Sequence, residues 1–355
     1  MKKVIYLGLL FFLISLTINC GDKNTEYDFK FEKPGVFICN EGNFTFSNST
    51  LSFLDIQNDT IINDFFIKKN EFPLGDIAYS MTFVNDNIFL VVNNSGKIIV
   101  FDSKTGEYQA TIKDLGSPRF ILLIDSTKAY VSDLYGKTIT IIDPSTYKIK
   151  GFVDTKCNTE RMIKIGNYVY VVNWNYGNKL LKIDASQDIV VDSIRVTYQP
   201  NSLQKDKNGN LWVLSDGGME PDTLKNEIPT LTCINPNDMS IIKIFRIGNR
   251  ATAPTHLNIN STLDTLYFIN SSWNGTVSSG GVYRFCVDDN IITNEPLIPE
   301  GNMQFYALGI SEKFIFVSDA KDFVQEGDVI VYNKNGEYLK KFQAGINPSF
   351  FLFYE

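Results

Sequence analysis

One unit recurs along this chain and restricts its fold more than any other feature: an apolar strand ending in Asn, Asp or Ser, a loop, and a further strand ending in Asp, Asn or Val. The first of these strands reads VFICN, FLVVN, AYVSD, VYVVN, LWVLS, LYFIN and IFVSD in turn, seven copies in all. The second reads LSFLD, IIVFD, ITIID, LLKID, LTCIN, YRFCV and VIVYN, closing at Asp55, Asp102, Asp143, Asp184, Asn235, Val287 and Asn333. A period of about 40 to 50 residues built from short β-rich strands is the pattern of propeller blades. Helical repeats are excluded, because β-branched and aromatic residues dominate every unit and no convincing amphipathic helix is legible.

Each unit from the second onward is preceded by one more strand: IAYSMTF, RFILLI, RMIKI, NSLQKD, THLNI and FYALGI. The first unit lacks it. The C-terminal stretch Asn347 to Phe353 has that pattern with nothing after it. The expectation is therefore an all-β, seven-bladed propeller of four-stranded blades, its ring closed where the C-terminal strand joins the first blade and removes an exposed seam.

The N-terminus reads as an export signal over residues 1–19: Met1-Lys2-Lys3, an apolar run from Val4 to Ile18, then Cys20. That run is shorter than the roughly 20 residues a membrane-crossing helix needs. A cysteine directly after it resembles the bacterial lipoprotein signal, which makes Cys20 the lipidated first residue of the mature chain. Thr17-Ile18-Asn19 departs from the usual Leu and small residue, and an ordinary secretory signal is the plainer alternative. Residues 20–33, with Asp22, Glu26 and Asp28, read as a flexible tether, and 34–355 as the propeller.

Net charge is −7 and no Lys/Arg cluster is long enough to hold a phosphate backbone, so nucleic acid is not the expected partner. Cys39, Cys157, Cys233 and Cys286 form no CxxC pair and His256 is the one histidine, which gives no metal site; the four cysteines read as small buried hydrophobes. With one histidine, no phosphate loop and scattered acids such as Glu160, Asp216 and Glu220, no catalytic constellation or cofactor is read, and a binding protein is expected rather than an enzyme.

In a four-stranded antiparallel blade, the loop between the second and third strands shares a face with the loop entering the first strand. The former loops carry Phe44, Tyr135, Trp174, Tyr176 and Trp273 beside amides, and the latter carry Arg119, Arg161 and His256. Aromatic faces with a few fixed polar groups around a concavity are the usual make-up of a small-molecule site. Against this stands the plainer reading that Trp174 and Trp273 pack between blades and that His256 is structural. The opposite turns are short and polar, and Asp206-Lys207-Asn208-Gly209 reads as a turn rather than a calcium loop.

The opening GVFICNEGNF with STLSFLDI, the blade YVSDLYGKTITIID and the ending NPSFFLF resemble the YncE-like propeller lipoproteins of Bacteroidetes. Asn40-Glu41-Gly42-Asn43 is the most specific match. The resemblance implies a lipid-anchored protein of the outer membrane, exposed at the cell surface, that captures a small ligand for a TonB-dependent transporter. A corrinoid such as vitamin B12 is one such ligand. The other readings left open are a propeller enzyme of lactonase or quinoprotein type and a protein–protein scaffold.

Overall fold

The computed structural model describes residues 27–218, 226–271 and 280–355; Cys20 and Trp273 lie outside them. Seven antiparallel sheets of four strands form the ring, each running from an inner strand at the channel to an outer one at the rim. The inner strands are Ala78–Val84, Pro118–Asp125, Met162–Ile165, Pro200–Lys205, Ala253–Ile259, Phe305–Ile310 and Pro348–Tyr354. The last belongs to blade one, where it pairs with Gly35–Asn40 in a register running from Gly35↔Tyr354 to Cys39↔Phe350. The two ends of the chain thus close the ring within one sheet.

The second strands are buried along most of their length, and Gly35–Asn40 and Leu211–Ser215 along all of it. The cause is the ring itself, since one face of each blade packs on the blade before it and the other on the blade after. Seven apolar clusters result, one at each interface. The cluster between blades one and two holds Phe37, Phe53 and Phe101, and that between blades seven and one holds Val36, Phe316 and Phe351. Strands covered on both faces read as near-continuous apolar runs. The outer strands, with one wet face, alternate instead, as in Lys148–Asp154.

The acids and amides that close the third strands are turn caps. The Oδ1 atoms of Asp102, Asp143 and Asp184 accept backbone N–H groups two residues on at 2.8–2.9 Å, and Asn235 and Asn333 do the same. The Ser145 hydroxyl, which donates to the same oxygen at 2.6 Å, and then these backbone bonds lower the Asp143 carboxyl to about 2. The mark that reveals the repeat is therefore the side chain that turns the chain back on itself. Asp206 serves its own turn as well, accepting from the amides of Asn208 and Asn210 and from Trp212 Nε1 at 2.8 Å.

Three details differ from the sequence expectations. A single helical turn, Phe65–Asn70, follows blade one and buries Phe65 and Phe66; six residues are too few to show a period. The tether expected over 20–33 is already anchored at Phe31, which is 3 % exposed and packs against Phe37, Phe53 and Phe65 with ring centroids 4.7–5.2 Å apart. Cys39 and Cys233 are buried, but Cys157 and Cys286 are half-buried, and all four are free thiols. Among the described residues, no helix is long and apolar enough to cross a membrane.

Candidate functional site

A regular irregularity builds the site. Six of the seven inner strands shift register against their second strand near their first residues: between Ala78 and Ser80, Pro118 and Ile121, Pro200 and Ser202, Thr255 and Asn258, Phe305 and Leu308, and at Ser349 opposite Cys39/Asn40. Each shift inserts a residue that the partner strand does not match, and a bulge re-aims side chains. The stretches concerned carry Tyr79, Arg119, Asn201, His256, Tyr306 and Ser349. Blade four supplies Glu160 and Arg161 just ahead of its inner strand. Side chains from every blade thereby converge on one end of the channel.

The loops between second and third strands meet the same end. Glu41 and Gly42 donate backbone N–H groups to the carbonyls of Asn347 and Ile346, and Gln199 donates to Gly177. Arg119, 8 % exposed at its side chain, donates from Nε and Nη2 to the Glu160 carboxylate at 2.9–3.1 Å and lies 3.5 Å from the centroid of the Tyr79 ring. The Tyr79 hydroxyl donates to Glu160 Oε1 at 3.0 Å and receives Arg119 Nη2. Burial works against the Arg119 cation, but Glu160, Tyr79 and Glu41 together outweigh it and hold the guanidinium above its ordinary value. Glu41 accepts the Tyr306 hydroxyl at 2.7 Å, and burial raises its carboxyl above the usual range.

Asp216 caps the blade-five side. It accepts Trp174 Nε1 at 3.0 Å, Asn201 Nδ2 at 3.3 Å and the Gly218 amide at 2.8 Å, and burial lifts its carboxyl to about 6. His256 has a left-handed backbone, φ 58°, and its Nδ1 meets the Thr255 hydroxyl at 3.0 Å. Burial, helped by the charge on Arg161, pushes its imidazole down to about 3. It is thus a neutral ring at physiological pH. Beside it a cavity of about 70 Å³ opens into the channel, lined by Arg161, Gln204, His256, Asn258, Ser349 and Phe350 among others.

Of the residues singled out from sequence, Arg119, Arg161, Trp174 and His256 come together at the mouth. Trp174 bridges blades four and five through Asp216 and faces the Arg119 guanidinium at 5.4 Å. Phe44, Tyr135 and Tyr176 stand apart on the rim, 66 %, 72 % and 68 % exposed. Trp273 falls outside the described residues. The sequence places Asn201 in a loop of this face, but sequence reasoning missed Tyr79, Tyr306 and Asp216 as members of the mouth, and Glu41 as more than part of a motif. A proline near the start of an inner strand, as at Pro118, Pro200, Pro254 and Pro348, marks a break in the ladder beside Arg119, Asn201, His256 and Ser349, but the strands of Tyr79 and Tyr306 open on Ala78 and Phe305 and carry no such mark. No grouping of three or more potential metal ligands occurs among the described residues.

A family model for a domain of unknown function, DUF5074, matches residues 34–353. The chain belongs to that family. No curated protein matches. Among solved structures, a quinoprotein alcohol dehydrogenase-like protein from Bacteroides thetaiotaomicron superposes with a TM-score of 0.70 at 16 % identity, covering 91 % of this chain and 79 % of its own. A protein from Lactobacillus plantarum gives 0.65 at 11 % identity, covering 91 % and 99 %. A putative 6-phosphogluconolactonase from Bacteroides fragilis gives 0.61 at 14 % identity, again over 91 % and 99 %. At these identities the likeness is one of fold.

Proposed function

We propose that this DUF5074 propeller is a capture module, exported and held by a lipid on Cys20 at the outer membrane, that binds a small organic ligand at the bulge-lined mouth and passes it to a TonB-dependent transporter. The observation that carries the binding part is the convergence of six bulged inner strands, together with Glu160 and Arg161 of blade four, which bring polar, charged and aromatic groups to one opening. A fold kept only for stability gains nothing from Arg119, Glu160, Glu41 and Asp216 desolvated in one place. Tyr135, Tyr176 and Phe44 offer flat apolar faces on the rim above them.

A corrinoid belongs among the candidates on this reading. The 70 Å³ cavity is far below the roughly 300–1,000 Å³ of ordinary ligand pockets, so so large a ligand would rest on the rim. Calorimetric titration of residues 21–355, which keep the buried Phe31, with cobalamin, cobinamide, haem and a panel of oligosaccharides tests the reading. Binding that Tyr135→Ala and Tyr176→Ala weaken supports it. Silence across the panel from a folded protein removes it.

The enzyme reading draws on the names of the dehydrogenase-like and lactonase-like neighbours and on the Asp216 carboxyl near 6, a value suited to a general base. The same cavity has no room for a fused-ring quinone, which leaves the lactonase form as the one to assay. Hydrolysis of a sugar lactone that Asp216→Asn abolishes would put this reading first.

A further inference from the structure

Two arginines share the mouth, and among the described residues only one of them has a hydrogen-bonded or ion-pair partner. Arg119 is matched to Glu160 by three N–H···O contacts. The Arg161 guanidinium makes no hydrogen bond or ion pair among the described residues. Its carbon lies 4.0 Å from the centroid of the Phe120 ring and 5.2 Å from that of Phe350. Neither ring accepts a conventional hydrogen bond from its N–H fork, and Arg161 lines the cavity. Such a fork matches a carboxylate in bidentate fashion.

The surroundings favour an anion. Glu160 is engaged by Arg119, Glu41 is biased toward its neutral form, and His256 adds no negative charge. Gln204 and Asn258 give their amide N–H groups to the carbonyls of Leu257, His256 and Leu308 at 2.9–3.1 Å, so each retains a carbonyl oxygen able to accept from a ligand hydroxyl. At roughly 10–15 Å³ per water, a cavity of about 70 Å³ holds a few waters or a carboxylate with a small polar stem. We infer that Arg161 is the anchor of a subsite for the carboxylate of a small organic acid, which enters the channel between the Phe120 and Phe350 rings on one side and His256 on the other. This rests on the capture reading and names the class of group captured.

The test uses the folded mature domain at constant ionic strength in chloride, with acetate, glycolate and gluconate titrated against acetamide and glycerol, by calorimetry and by thermal shift. The acids should bind and raise the melting temperature while the neutral analogues do neither. Arg161→Gln should cost about tenfold or more in affinity, and Arg161→Lys should recover only part because it keeps the charge but loses the fork. Arg161→Gln should also melt no lower than the wild type, since burial and the Arg119 charge disfavour the Arg161 cation more than Tyr79 and Glu160 support it. Equal binding of acid and amide, unchanged affinity in Arg161→Gln, competition by chloride or sulfate as strong as by carboxylates, or binding of a peptide C-terminus alone would each overturn the inference. Running cobalamin and oligosaccharides in parallel separates the two readings: capture that persists in Arg161→Gln with no carboxylate binding sinks the subsite and leaves the capture module standing.

Discussion

The wedge between blades one and two and the channel mouth are both rich in aromatic rings, yet they use them in opposite ways. In the wedge, Phe31, Phe37, Phe53, Phe65 and Phe101 meet edge to face or tilted, and no charge lies among them. At the mouth, Tyr79, Phe120, Trp174 and Phe350 lie against guanidinium groups. The wedge gains stability with every ring it buries. The mouth spends part of that gain keeping ions out of water, which is how a binding or reacting surface differs from a core. The contrast predicts a graded set of losses, and the seam beside the wedge stands first.

Deleting residues 346–355 removes the inner strand of blade one, and with it the Phe351 and Tyr354 contacts to the clusters on both sides. At about 3 to 5 kcal/mol for each buried aromatic lost, this approaches the whole stability of a domain. The truncated chain should show no cooperative melt. A transition within a few degrees of the full chain would show that the seam is peripheral and that the wedge stands without it.

Within the wedge, Phe37→Ala removes a fully buried ring and should cost about 3 to 5 kcal/mol in urea unfolding, with ligand affinity unchanged. At the mouth, Glu160→Gln leaves Arg119 desolvated without its counter-charge and should cost about 3 kcal/mol. The double change Arg119→Leu with Glu160→Leu should recover much of that loss, because the expense lies in the uncompensated ion rather than in the absence of a pair. If Glu160→Gln is neutral, water reaches Arg119 and the contrast between the two regions is weaker than drawn.

Trp174 lies between the two cases. Its indole N–H is committed to Asp216 and its face to Arg119, so both packing and ligand contact are open to it. As a contact residue, Trp174→Ala should weaken a rim-bound ligand by about 2 kcal/mol. Trp174→Phe, which keeps a ring but drops the hydrogen bond, should cost about 1 kcal/mol in stability and leave most of the affinity. Affinity untouched by either change would place Trp174 with the wedge residues, as a packing side chain.

The ring was legible because its determinants are local. The Asp and Asn caps recur where turns must form, apolar runs recur where strands are covered on both faces, and a lone inner-strand pattern at Asn347–Phe353 had only one place to go. The mouth was legible only in part. Arg119, Arg161 and His256 follow from counting strands, but Tyr79, Asn201 and Tyr306 owe their direction to one extra residue in the ladder. Alternation by twos cannot show a bulge, since the inserted residue reads as an ordinary member of its strand. Nor could the sequence tell which of two arginines Glu160 satisfies. That depends on a side-chain geometry in which Arg119, forty-one positions away, reaches it and the adjacent Arg161 turns toward Phe120 and Phe350.

The smallest effect expected is a slope with pH, and it sharpens the contrast because the phenylalanine rings of the wedge carry no titratable group. Asp216 titrates near 6 in the fold against an ordinary value of 3.8, so its contribution to stability is fully present below about 4 and is lost as pH rises through 6. His256 runs the other way. Its folded value near 3 lies below the ordinary 6.5, so its contribution is present above 6.5 and is lost as pH falls toward 3. Between pH 4 and 6 the two oppose each other, each at no more than about 1.4 kcal/mol per pH unit. Asp216→Asn removes the falling contribution while keeping an oxygen to accept Trp174 Nε1, and should make stability rise more steeply with pH across that window, by about 1 kcal/mol per unit. His256→Gln should make it rise less steeply by a similar amount, and the double variant should return close to the wild-type slope. Urea unfolding at pH 4, 5 and 6 measures all four proteins. Parallel slopes for wild type and Asp216→Asn would mean that the carboxyl is ionised throughout, stabilised by its three donors more than burial disfavours it, and the mouth would then hold one more full negative charge for Arg119 and Arg161 to answer.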